Sequence, residues 1–248
     1  MTSKELDLLE TVDLSLVRQI LKAPNGTPKE LFYLELGIMP FRDIIIGRRI
    51  NFLHTILNEE KNSLIYKFFQ AQWKYKTKKD WTTLIQNDLE YLELHLMSLE
   101  EIKNMRKHKF RNIVKQKLEE KTFQKLEKIK RGHSKVEHLE HNRIKMQKYL
   151  QPNSQNYTKE VAQLIFEIRG KMTSVKTNFK GKYNEFECRA CKVEQEDQKH
   201  VYECKKLNQE VIETEYEKIF NGTVREKVRL AQRFKTNIEI LEKLEIGT

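Results

Sequence analysis

Apolar residues return every three or four positions through most of this chain, and the positions between them are dominated by charge. Leu6, Leu9, Val12, Leu16, Val17, Ile20 and Leu21 form the first such stripe and predict an amphipathic helix ending near Ala23 and Pro24. Asn25-Gly26 marks a turn. Thr27-Pro28-Lys29-Glu30 then reads as a helix start, with a hydroxyl cap and Pro at the first helical position, for a short helix that stops at Gly37. Pro40-Phe41 opens a helix carrying Ile44, Ile45, Ile46, Ile50, Phe52, Leu53, Ile56 and Leu57. It is apolar around most of its circumference, which predicts the central core helix of the first half. Leu64, Ile65, Phe68, Phe69 and Trp73 make a further stripe, and Asp80 is placed to cap a helix bearing Trp81, Leu84, Ile85, Leu89 and Leu92.

Ser98 to Glu101 spells a capping box that opens a long segment ended by Gly132. Its apolar stripe, Phe110, Ile113, Val114, Leu118, Phe123, Leu126 and Ile129, is thin, so one face is expected to pack and the other to be cationic. From His133 to Asn156 the periodicity fades, which reads as a linker partly packed on the helices, with His133, His138 and His141 expected at its surface. Thr158 is expected to cap a helix with Val161, Leu164, Ile165, Ile168 and Met172. Val224, Val228, Ala231, Ile238, Leu241 and Leu244 define the last helix. The fold class expected is mainly α, divided into residues 1–132, a linker at 133–156, and residues 157–248.

Composition sharpens this picture. Gly and Pro number only 8 and 4 in 248 residues, which favours long helices over strands and turns. No apolar run approaches a membrane span and no secretory signal stands at the N-terminus, so an intracellular protein, nuclear or cytoplasmic, without a membrane partner is expected. The net charge of +11 is concentrated. Between Lys103 and Arg131 twelve Lys or Arg face three Glu, a surplus of nine, so most of the excess sits on one segment. Such a cluster is either a solvated helix face or a surface that tracks phosphates. Arg48 and Arg49 either line a phosphate groove or snorkel beside the core.

All three cysteines lie in Cys188-x2-Cys191-x8-His200-x3-Cys204. Two Cys three positions apart bend round an ion through a tight knuckle, and His200 and Cys204 can close the site from the first turn of a helix. Three thiolates and one imidazole form a closed, soft ligand set, so the expected cofactor is structural zinc with Cys188, Cys191, His200 and Cys204 as ligands. A dithiol redox pair lacks its βαβ context here. Lys180 and Lys182, interleaved with Phe179, Tyr183 and Phe186, make either a platform for unpaired bases or the small core of the knuckle.

No Tyr/Phe-x-Asp-Asp motif, phosphate-cradling Gly loop or Gly-x-Ser-x-Gly elbow occurs, so the chain is read as non-catalytic. The runs Thr27 to Gly37 and Ile44 to His54, together with Leu64 to Gln72, Asp80-Trp81, His133 to His138 and Met146 to Pro152, resemble the region after the polymerase core of LINE-type (non-LTR) retrotransposon reverse transcriptases. The C-x2-C-x8-H-x3-C ending is similar to the zinc knuckle of those polyproteins. The resemblance implies a helical thumb-like bundle that grips a template–primer duplex, a linker, and a knuckle that helps hold RNA or target DNA. It carries a role only to Cys188, Cys191, His200 and Cys204, and this sequence lacks the family's fingers, palm and endonuclease.

The expected partners are therefore RNA and/or DNA, with Arg48, Arg49, Lys107, Lys109, Arg111, Lys115, Lys180 and Lys182 as phosphate contacts inferred from charge. The alternative is a helical scaffold that recruits a polymerase core or another protein through the N-terminal helices, or a degenerate fragment without a nucleic-acid role.

Overall fold

The computed structural model describes residues 3–75, 80–151, 157–179, 181–208 and 215–246. The fold is mainly α. Among the described residues are eleven α-helices and a single isolated antiparallel bridge, Glu187 to Gln195. No helix there is long and apolar enough to cross a membrane. The chain divides into two compact units, residues 1–12 with 39–127 and residues 13–38 with 128–248, and the divisions fall inside the first helix and the seventh.

The first unit is organised round α3 (Phe41–Leu57), as its apolar pattern predicts. Ile46, Ile50, Leu53, Ile56 and Leu57 of this helix share one core with Phe69 of α4 (Leu64–Lys74), Ile85 and Leu89 of α5 (Trp81–Tyr91) and Ile102 of α6 (Leu99–Asn104). Phe110, Val114 and Leu118 of α7 (Lys107–Lys130) complete it. Gly47 allows the close approach of α7, since a Cβ there would stand 2.7 Å from Leu118 Cδ1. Asp80 caps α5 by accepting from Thr83 N–H at 2.8 Å, and Ser98 and Glu101 form the expected reciprocal box. That box opens only the six-residue α6. The extended backbone at Met105 then separates α6 from the basic helix.

α7 buries Phe110, Val114, Leu118, Thr122, Leu126 and Lys130, a strict four-residue spacing. Each step of four overshoots the 3.6-residue turn by about 40°, so the buried line winds round the helix by roughly half a turn from first to last. The expected division into one packed face and one cationic face is replaced by a spiral. Two polar members of that line are satisfied inside. Thr122 Oγ1 donates to Asp43 at 2.7 Å, and Lys130 Nζ donates to the Leu139 carbonyl.

The second unit gathers α2 (Lys29–Leu36), α8 (Lys159–Arg169), α9 (Gln198–Glu203), α10 (Lys218–Asn221) and α11 (Val224–Ile246). Phe32 and Phe166 stack at 5.6 Å between centroids, and Leu230, Ala231, Phe234 and Leu241 line the inner face of α11. Thr27 does not cap α2 as expected. Its hydroxyl donates back to the Pro24 carbonyl at 2.6 Å, closing the preceding turn. Gly37 ends α2 at φ 66°, and a Cβ there would meet Met146 N at 2.2 Å.

Two expectations are corrected by this packing. Residues 13–38 belong with the C-terminal half and not with 39–127, because α2 carries Glu35 into contact with residues 141–169. The stretch 133–151 is not a linker: Val136, Leu139, Ile144 and Tyr149 are buried. Its histidines differ from the expected surface set as well. His138 Nε2 lies 2.7 Å from the Arg169 carbonyl, and the His141 side chain is 1% exposed. Burial depresses the His138 pKa to about 4, chiefly because the charged imidazolium would lose solvation there.

Candidate metal centre and charged surfaces

The knuckle is shaped by its own backbone. Cys188 N–H donates to the Glu194 carbonyl at 2.7 Å, and Lys192 N–H donates to the Cys188 carbonyl at 2.9 Å, which folds the loop back on itself. Lys192 takes the left-handed conformation at φ 59° that this tight loop requires. Asp197 caps α9 through His200 N–H at 2.7 Å, fixing the helix from which His200 projects, and Cys204 ends it with its own N–H donated to the His200 carbonyl.

These constraints bring the four residues together. Their ligand atoms all lie within 4.8 Å of one another, close enough to hold a metal ion. Cys188 Sγ and Cys204 Sγ are 4.0 Å apart, and Cys191 Sγ is 3.4 Å from His200 Nε2. Burial pushes the Cys188 thiol up to about 11, against N–H groups of Cys191 and Ala190 that favour its thiolate. At Cys191 burial also acts upward, but N–H groups of Glu194 and Val193 outweigh it and leave the thiol at about 7. Backbone donors aimed at both sulfurs are what a thiolate ligand needs.

Sequence reasoning missed the groups that hold this loop from behind. Arg189, between the paired cysteines, is buried and makes a two-pronged contact with Glu196, Nε to Oε2 at 2.9 Å and a terminal nitrogen to Oε1 at 2.8 Å. Its other terminal nitrogen reaches Glu245 of α11 at 2.6 Å. Glu194 lies 3.1 Å from His200 Nδ1, the contact that orients an imidazole so that Nε2 is the ligating nitrogen. A signal for the first pair was available: a buried-loop Arg seven residues before a Glu, both inside the ligand spacing.

The proposed phosphate contacts fare unequally. Lys107, Lys109 and Arg111 are exposed on the first turns of α7 and carry no ion pair among the described residues. Lys115 is exposed too, with a loose 3.8 Å approach to Glu119. Arg48 is exposed on α3. Arg49 is neither a groove residue nor a snorkelling one, because Asp88 of α5 takes its guanidinium in a bidentate pair at 2.6 and 2.8 Å. Lys182 is exposed with its Nζ 5.2 Å from the Tyr183 ring centroid, while Lys180 lies outside the described residues.

A second cluster was invisible in the sequence. Glu35, with no exposed surface, receives both prongs of Arg169 at 2.9 and 2.8 Å and the Tyr149 hydroxyl at 2.5 Å. Burial alone would raise the Glu35 carboxyl, but the charge and hydrogen bonds of Arg169, with the His141 ring 3.1 Å away, hold it well below the usual carboxylate range. No protein-family model, curated protein or solved structure matches this chain.

Proposed function

We propose that the protein is a non-catalytic nucleic-acid-binding module whose knuckle is held by structural zinc. The observation that carries this reading is the placement of Arg106, Lys107, Lys109 and Arg111 at the N-terminal end of α7, with no acidic residue in its first turn. A helix dipole disfavours cations there by ~0.3–1 kcal/mol each. An arrangement that costs stability and lies exposed suits a surface built to meet an anion, and a polyanion neutralises several such charges at once. The resemblance to the retrotransposon thumb and knuckle points the same way.

Zinc fits the cysteine–histidine set on its chemistry and its spacing. A tetrahedron with Zn–S near 2.3 Å has edges of roughly 3.8 Å, and the 4.0 Å sulfur–sulfur and 3.4 Å sulfur–nitrogen separations bracket that value. Four protein ligands leave no position for a reacting water, so the ion stabilises the loop. Lys107, Lys109, Arg111, Lys115 and Arg48 are the phosphate contacts in this reading. Arg49 is withdrawn from the set.

Binding of the zinc-loaded chain to a labelled structured RNA and to a DNA duplex across a salt series tests the proposal. Affinity should fall steeply with salt, and Lys107→Ala, Lys109→Ala and Arg111→Ala together should reduce the slope on duplex DNA by about two to three units. An unchanged slope removes α7 from the interface.

A second reading rests on α1 (Ser3–Leu21), where Leu8, Val12, Leu16 and Ile20 are 53–81% exposed. Here the chain is a scaffold whose apolar stripe recruits a protein partner. Light scattering should then show an assembly insensitive to salt, and a monomer at all concentrations would count against it.

A further inference from the structure

Behind the Glu35 cluster lies a cleft of about 500 Å³, all within the unit formed by residues 13–38 and 128–248. One wall is the stretch from Glu140 to Tyr149 and the other runs from Phe220 to Lys227. Its charge is lopsided. Arg143, Lys145 and Lys148 stand exposed on the rim, and Glu140 is the one acid among the lining residues described.

The floor is more informative than the rim. Lys227 is 7% exposed, and its ammonium donates to the carbonyls of Ile219, at 2.7 Å, and Phe220. Arg169 donates to the same two oxygens, at 3.1 and 2.9 Å, while its remaining nitrogens take up both carboxylate oxygens of Glu35. Two buried cations thus share one pair of carbonyls, and of the two Arg169 alone takes the buried carboxylate of Glu35. Buried charge is stable when paired, and here one positive charge is in surplus. Burial first and the charge of Arg169 second depress the Lys227 pKa to about 7.

Two donors remain for a ligand. An ammonium carries three hydrogens, and carbonyls take two of those on Lys227. His141, in the opposite wall, brings its Nε2 to 3.1 Å from Glu35 Oε1 without the alignment of a hydrogen bond, and its buried Nδ1 has no partner. A buried polar atom without a partner calls for an explanation, and this one belongs to a residue that lines the cleft. The first turn of α11 opens on the same wall at Val224, and its own Glu226 already caps Thr223 N–H there.

We infer that this cleft binds a phosphate group, held by Lys227 and His141 at its floor and by Arg143 and Lys148 at its rim. A phosphate fits better than a carboxylate because it presents several acceptor oxygens to donors arriving from two walls. The site is separate from α7 and does not depend on it.

Thermal unfolding of the zinc-loaded chain in inorganic phosphate, against chloride at matched ionic strength, tests the inference. The melting temperature should rise by roughly 5–10 °C at ~100-fold excess over Kd. Lys227→Met should abolish that rise without lowering the melting temperature in chloride. Arg143→Ser with Lys148→Ser, confined to the exposed rim, should weaken phosphate binding severalfold by titration calorimetry and keeps the test open if the core variant does not fold. No rise in the wild type, or the same rise in wild type and both variants, overturns the site. Competition then separates the sources of the group. If phosphate displaces a short oligonucleotide from the wild type but not from Lys227→Met, the occupant is a nucleic-acid phosphate; if it binds without displacing the oligonucleotide, the occupant is a free phosphoryl compound.

Discussion

The two units bury charge to different degrees. In residues 39–127 the core is a continuous apolar cluster, the cations at the N-terminal end of α7 stand in solvent, and the charged groups turned inward are few: Asp43, held by Thr122, and the partly buried bidentate Arg49–Asp88 pair. In the other unit Glu35, Arg169, Lys227, Arg189, Glu196 and His141 are folded inward. A surface charge is cheap to place and simple to lose, whereas a buried one commits every neighbour to its pairing. The first unit therefore offers its chemistry to the outside, and the second uses charge to specify which segments meet.

The largest test of that contrast is the metal. Cys188→Ser or a strong chelator should release one zinc per chain and open the segment round residues 174–208 to protease, since binding in small Cys/His modules contributes on the order of 10–16 kcal/mol of folding energy. Metal content and cleavage mapping read both effects. Persistence of a protected segment in the metal-free chain would show that the Arg189–Glu196–Glu245 contacts alone suffice.

Next in size is the buried pair. Arg169→Met leaves the Glu35 carboxylate without its main partner and should cost ~3–5 kcal/mol in urea unfolding, while Glu35→Met with Arg169→Met should recover much of that loss. A single variant as stable as the wild type would place the charge in water. By the same measurement Arg49→Ala should cost ~1–3 kcal/mol by stranding the buried Asp88 carboxylate, and it should leave the salt dependence of nucleic-acid binding unchanged.

A smaller effect is expected from acid. The native His138 binds its proton with a pKa of about 4, below the ordinary value near 6.5. Between these values the unfolded chain takes up more protons than the native one, so this residue's contribution is complete above pH 6.5 and is lost as the pH falls toward 4. His138→Gln should flatten the melting temperature between pH 7 and pH 5 relative to the wild type. An unaltered profile would mean that His138 charges freely in the native state. Smallest of all, Lys107→Ala, Lys109→Ala and Arg111→Ala should each leave stability within ~0.5 kcal/mol or raise it slightly, because each removes a cation from the wrong end of a helix dipole.

How much of this was legible depends on the range of the interactions. The α3 core stripe, the Asp80 cap and the Ser98–Glu101 box are decided within a few residues, and each reads directly from its spacing. The cysteine–histidine quartet is equally local, spanning seventeen positions. The ending of α6 at Met105 was missed because the basic run continues across the break. The winding of the α7 stripe was missed because Thr122 and Lys130 are polar and do not mark a buried line. His138 and His141 read as surface residues because no Cys or Asp stands near them, and the groups they meet, the Arg169 carbonyl and Glu35, lie far away in the chain.

By itself, then, the sequence determined the helical class, the boundaries of its stronger helices, the concentration of positive charge on α7 and the four side chains that come close enough to hold a metal ion. These follow from helical periodicity, capping chemistry and ligand spacing, all short-range. Only the tertiary structure decided that residues 13–38 pack with the C-terminal half, that Arg49 is held by Asp88, and that Glu35 meets Arg169 across 134 positions of chain. Pairing a buried charge depends on which distant segment reaches it, and no local pattern carries that information.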